Sequence, residues 1–209
     1  MEIRGGRPFA VLRWVALVYI LFWAPVYAFY WDWQHFLYLC NVALVLTAAG
    51  LWFADALLLS SQGVGSLVIS TIWGINLVSG MIHHGAAVTG GSEYMFNDMY
   101  PLWVRALSLE HFAVPIVSLW GIWKTGYDRR AWIFQSVLAA LVLVASRLLA
   151  PGRNLNFVEK DLVTFRVWGP APVHLLFIWT VLVFLVYWPV HATLLRVAPI
   201  RSTRGSASA

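Results

Sequence analysis

Six apolar stretches, each about as long as a helix needs to cross a bilayer, constrain this chain more than any other feature. They run over about 9–29, 36–53, 63–82, 103–123, 131–149 and 173–195. A helix rises about 1.5 Å per residue, so roughly 20 residues cover a hydrocarbon core of about 30 Å. Backbone polar groups find no water in that core, and a segment with no paired strand satisfies them by becoming a helix. The expected fold is all-α: a polytopic membrane helical bundle of about six transmembrane helices, forming one domain over residues 1–200. The composition agrees, with 61% hydrophobic and 11% charged residues and a mean hydropathy of +0.74. An ordinary soluble domain is excluded by those values. The 13 Trp and 8 Tyr suit aromatic belts at the two membrane surfaces.

The connections are short. Gly126-Tyr127-Asp128-Arg129-Arg130 reads as a tight joint, with Gly126 ending span 4 in a left-handed conformation and Asp128 capping span 5. Two longer loops, 83–102 and 150–172, carry His83, His84, Glu93, Asp98, Asn154, Asn156, Glu159 and Asp161. They read either as a polar cap or as solvated connectors. Residues 201–209 are mostly small and polar, and a disordered tail is expected there.

The net charge of +5 is not a nucleic-acid signal, because its basic residues sit at helix ends. One face collects Arg4, Arg7, Arg13, Lys124, Arg129, Arg130, Arg196, Arg201 and Arg204, the other Arg153, Lys160 and Arg166, with Arg105 and Arg147 near helix ends. By the positive-inside rule both termini are cytoplasmic, and the expected location is a bacterial inner membrane. Val26-Tyr27-Ala28 loosely resembles a signal-peptide cleavage site, but the run before it is long, aromatic and contains Pro25, which favours a retained span.

Within the apolar background, Glu110 and His111 stand side by side in span 4. Ionisable residues at bilayer depth are costly and usually face a bundle interior or a wet cavity. Helix geometry brings Cys40 and Asn41 of span 2, Asn76 of span 3 and Arg147 of span 5 to the same half of the membrane. His35, His83, His84 and His174 fall at the mouths of that half, and only His191 stands out in the other. A polar cavity open toward the outer face is expected. Each residue also has a plainer role. Arg105 and Arg147 snorkel to the interface or hold a ligand; Glu110 pairs with Arg147 or acts chemically; Cys40 is a small core residue or a nucleophile. Pro115 lies about one turn from His111, where a kink opens space. As the sole cysteine, Cys40 leaves no internal disulfide and no cysteine cluster for a metal.

Tyr38-Leu39-Cys40-Asn41, then Trp73-Gly74, then Ser108-Leu109-Glu110-His111 form an ordered set over spans 2 to 4. The set resembles a broad family of small bacterial integral-membrane proteins, distantly similar to transmembrane protein 164, a membrane acyltransferase that remodels ether phospholipids. That family's pattern is a His-Leu-Cys at the outer start of one helix, a Trp-Gly in the next and a later membrane His. The resemblance implies Cys40 as acyl-accepting nucleophile and His111 as base; Tyr38 here replaces the family's first His. Glu110 then orients the imidazole, Arg105 or Arg147 holds a lipid phosphate, and Asn41, Asn76 and Tyr38 line the substrate site. The implied partners are membrane lipids, with further membrane proteins possible and no nucleic acid. Two other readings stay open. One is a non-catalytic accessory or structural subunit of a membrane complex; the other is a haem- or pigment-binding protein using the histidines as axial ligands. The cofactor is unassigned.

Overall fold

The structure, a computed structural model, describes residues 8–85, 88–89 and 91–201. Among these residues the fold is helical, without a β-strand. We label the helices α1 (Leu12–Tyr30), α2 (Leu39–Phe53), α3 (Ala56–Ile82), α4 (Leu102–Thr125), α5 (Ala131–Leu149) and α6 (Ala171–Val197). All but α2 are long and apolar enough to cross a membrane. At 15 residues α2 is about 22 Å long, short of a full crossing, and a 3-10 turn at Trp33–Leu37 precedes it. The expected tail at 201–209 lies, apart from Arg201, outside the described residues, as does Gly90 of the 83–102 loop.

The observed helices differ from the hydropathy runs in instructive ways. α3 begins at Ala56 rather than near residue 63, because the Asp55 carboxylate caps it by accepting from the Leu58 N–H at 2.8 Å. Its first turns hold Ser60, Ser61 and Gln62, too polar to join an apolar window yet fully buried against neighbouring helices. α3 packs mainly along α4 and α2. A Cβ on Gly63 meets Ile122 Cδ1 at 2.7 Å, so the α3–α4 approach requires a bare backbone there. α4 tightens to a 3-10 turn at Leu107–Leu109, just before Glu110. α6 widens to a π-helical turn at Leu182–Tyr187, immediately ahead of Pro189. A proline ring presses on the carbonyl four residues back, and a wider turn relieves that contact. α1 is peripheral, holding to the bundle through Trp23 against Ala43, Leu44 and Val114.

At the α4–α5 joint, Gly126 takes φ 80°, and a Cβ there lies 2.8 Å from the Arg201 backbone. The following segment pairs with the chain beyond α6: Tyr127 N–H donates to Pro199 and Arg201 N–H to Tyr127. Asp128 does not cap α5 at its first position; its carboxylate accepts from the Arg130 backbone N–H and guanidinium, and its own N–H donates to Ser60 Oγ. Nearby, the Tyr127 hydroxyl bonds His191 Nδ1 at 2.6 Å, which accounts for a histidine in the otherwise apolar half.

At the opposite end, Asn156 clasps three elements. Its Oδ1 accepts from the Leu39 N–H at 2.9 Å, and its Nδ2 donates to the Leu37 carbonyl at 2.7 Å and Ser146 Oγ at 2.9 Å. It does so at φ 53°, a left-handed conformation that asparagine tolerates better than most residues. Asn156→Ala strands the first N–H of α2 and a carbonyl beside it, and is expected to destabilise the protein by about 2 kcal/mol. Thermal unfolding in detergent, followed by circular dichroism, checks this, with a midpoint equal to wild type as the contrary result.

Candidate functional site

Buried polar groups meet at the end of the bundle where α2 begins, α3 ends and α4 begins. They enclose a cavity of about 500 Å³ that reaches inward to Gly65 of α3, Gln135 of α5 and Tyr187 of α6. Each helix contributes for a local reason. The clasp by Asn156 and the N-cap at Tyr38 start α2 so that Cys40 and Asn41 fall on the cavity wall. Asn41, 2% exposed, is fixed by its Nδ2 donating to the His35 carbonyl at 2.8 Å. Asn76 holds Val88 and Thr89, its Oδ1 accepting from their N–H groups at 3.1 Å. The 3-10 turn in α4 then presents Ser108, Glu110 and His111 to the same space.

Of the residues singled out by sequence, Tyr38, Cys40, Asn41, Asn76, Glu110 and His111 all line this cavity. Arg105 and Arg147 do not. Arg105 donates to the Met95 carbonyl at 2.8 Å and faces Asp98 at 3.6 Å, while Arg147 pairs with Glu159. The alternative pairing of Arg147 with Glu110 is therefore absent; Glu110 Oε2 instead accepts from the Tyr19 hydroxyl at 3.2 Å, which also approaches the Leu107 carbonyl at 2.8 Å. Nor does Glu110 bond the imidazole. His111 Nδ1 lies 2.8 Å from the Ser108 carbonyl, which can only accept, so Nδ1 carries the proton and Nε2 keeps its lone pair. The ring stacks on Trp73, with centroids 4.4 Å apart at 16°.

Two features add chemistry. Cys40 Sγ approaches Asn41 Oδ1 at 3.9 Å and the backbone N–H groups of Cys40 and Asn41, and its thiol is hydrogen-bonded to no side-chain base. Trp73 is 7% exposed and its indole N–H completes no hydrogen bond, although the Tyr94 hydroxyl comes near enough to interact with it. His174, by contrast, is committed at both ring nitrogens, to the Trp168 N–H and the Phe157 carbonyl. Among the described residues no group of three or more His, Cys, Asp or Glu is placed to hold a metal ion.

A second space lies against the first. Between α3 and α4 an open apolar groove of about 490 Å³ faces outward, bordered by Ile75, Val78 and Ile116, each more than half exposed. Ser70 and His111 line both the groove and the polar cavity.

Several wall residues carry no distinguishing sequence signal. Tyr27, Trp31, Tyr94 and Tyr100 suit interfacial belts by sequence, and only contact geometry shows that they turn inward. Gln135, an amide in an apolar run, was a usable signal; its side chain meets Gln62 at 3.4 Å across α3 and α5. The 150–170 loop does form part of the cap, with Asn154, Asn156 and Leu162 on the cavity. Its shape rests on Asp161. Burial favours the neutral acid there, but hydrogen bonds from Thr164 (hydroxyl and N–H), the Trp168 indole and the Arg166 and Val163 N–H groups outweigh it and hold the carboxyl well below the usual range.

No family model, no curated protein and no solved structure matches the chain.

Two outcomes follow from this geometry. Tyr19→Phe leaves the Glu110 carboxylate without its hydroxyl donor and is expected to cost about 1–3 kcal/mol, read as a lowered unfolding midpoint in detergent. For Asp161 the folded carboxyl is depressed, so its stabilisation is whole above the ordinary carboxylate value near pH 4 and is lost as pH falls below it. Asp161→Asn should therefore lower the midpoint at pH 7 and flatten its acid dependence; parallel wild-type and variant curves down to pH 2 would contradict the role.

Proposed function

We propose that this protein is an integral-membrane enzyme that moves an acyl group from a membrane lipid, with Cys40 as acyl acceptor and His111 as base. One observation carries the reading: His111, with a free Nε2, stands in the wall shared by the cavity that holds Cys40 and a groove open to the lipid side. An acyl chain in the groove leads its ester toward the cavity without passing through water. The cavity opens to the outer leaflet of a bacterial inner membrane, in keeping with the Arg and Lys distribution.

The step is ordinary thiol acyl transfer. His111 Nε2 takes the Cys40 proton as Sγ attacks the ester carbonyl, forming the S–C bond. The carbonyl oxygen gains charge, and the Trp73 N–H, on the cavity wall beside the Tyr94 hydroxyl, is the donor assigned to meet it. The C–O bond then breaks, the departing alkoxide takes the proton from the imidazolium, and a thioester remains on Cys40. A second alcohol reverses the sequence and regenerates the thiol. The Ser108 carbonyl contributes by fixing the tautomer that leaves Nε2 basic.

Whole-cell lipid profiling tests this, comparing a strain lacking the gene with strains complemented by wild type, Cys40→Ser or His111→Ala at equal expression. A lipid species restored by wild type and by neither variant is expected, together with an acyl adduct on Cys40 in the purified protein that hydroxylamine removes. Full rescue by Cys40→Ser would refute the nucleophile.

A further inference from the structure

The loop between α5 and α6 has an outer face that does not suit a solvated connector. Val163, Phe165 and Val167 project from it 71%, 61% and 57% exposed. Single exposed hydrophobics are ordinary on a protein surface, but three within five residues form a patch. The same loop keeps its backbone hydrogen bonds to itself. The Asp161 carboxylate accepts from the N–H groups of Val163, Thr164 and Arg166, and the Asp161 N–H donates to the Arg166 carbonyl at 3.0 Å. The Trp168 N–H donates to His174 Nδ1 at 3.1 Å, and its indole N–H to Asp161 at 2.9 Å. In a solvated loop water serves such groups equally well. Where water is scarce, irregular backbone must find its partners within the protein.

The position of the loop agrees with its chemistry. α6 has 27 residues and is about 40 Å long, some 10 Å more than a hydrocarbon core, so its ends reach into the headgroup layers. Trp168 lies along the first turns of α6, its ring centroid 4.9 Å from that of Phe177. On those turns Val173, Leu176 and Phe177 are exposed, as lipid-facing residues of a membrane helix are. The apolar surface of α6 thus continues through Trp168 onto the loop. Arg166 and Lys160 beside the patch are exposed and enter no ion pair among the described residues. Cations so placed complement the phosphates of a lipid surface.

We infer that residues 163–168 form an interfacial anchor, seated in the headgroup layer of the bilayer that α6 crosses, with Val163, Phe165 and Val167 in the top of the acyl region. The partner of this surface is lipid, and the anchor stands whether or not the protein transfers acyl groups. Its hold extends to the cavity, because Asn154, Asn156 and Leu162 of the same loop line the cavity wall. The cap over the cavity is then tied to the membrane surface as well as to α2 and α5.

The test places one fluorescent label on the loop of the full chain. Cys40→Ser removes the native thiol, and Phe165→Cys or Val163→Cys then carries nitrobenzoxadiazole in vesicles of phosphatidylethanolamine and phosphatidylglycerol. One quencher is a doxyl group high on a lipid acyl chain; the other is iodide in the water. The loop label should be quenched about threefold more by the doxyl lipid than by iodide. A label at Asp98→Cys, where the side chain is 99% exposed, should show the reverse order. Two loop positions keep the test decisive if one variant folds poorly. Stronger quenching by iodide at both positions overturns the anchor and makes the loop a solvated connector. Quenching by neither agent means that protein covers the patch, which overturns lipid as its partner.

Discussion

The Asn156 side chain is the hinge pin of the mouth end. A helix must leave its first N–H groups without intrahelical partners, and near a membrane those groups need protein donors or acceptors rather than solvent. Asn156 supplies one of them, to Leu39, while holding the carbonyl before the helix and the hydroxyl of Ser146 at the end of α5. That triple attachment fixes where α2 starts and hence which way Cys40 and Asn41 turn. It also brings the end of α5 against the start of α2, closing one side of the cavity. A short α2 is the natural consequence: with its beginning set by a loop residue and its end by Ala54 at φ 51°, 15 residues are what the space admits.

α3 plays the complementary role. Its buried face sets Ser60, Ser61, Gln62, Ser66, Ser70, Gly74 and Asn76 among the larger Leu59, Val64 and Trp73. Lipid chains are as apolar as leucine, so helices inside a bilayer gain little from hydrophobic burial and associate through close packing and hydrogen bonds. Small residues let α3 approach α4, α2 and α5 at once, and Thr47 with Ser118, and Gln62 with Gln135, supply bonds across the helix pairs. Toward the mouth the same economy of side-chain volume leaves the cavity unfilled.

Much of this was legible in the sequence because the bilayer imposes length and polarity on each segment. The helices follow from apolar runs, and the meeting of Cys40, Asn41, Asn76, Glu110 and His111 follows from counting residues from the helix ends. The partners of those residues were not legible. Arg147 and Glu159 are 12 positions apart across a loop, and the pairing of one with the other, rather than with Glu110, depends on how that loop folds over Asn154 and Asn156. The inward turn of Trp31 and Tyr100 is hidden for a different reason. Aromatic residues near helix ends suit an interface and a cavity mouth equally, and only the stack they form with one another decides between them. The start of α3 escapes a hydropathy window because Ser60 and Gln62 find partners outside the helix, in the Asp128 N–H and the Gln135 side chain, an exchange that a single segment does not display.

The wall shared by groove and cavity has a topographic consequence. A molecule that approaches through the gap between α3 and α4 meets Ser70 and His111, the two side chains that line both groove and cavity. On the acyl-transfer proposal, a lipid that enters by this gap belongs to one monolayer, and a change made to it would add to the difference in composition between the two sides of the membrane.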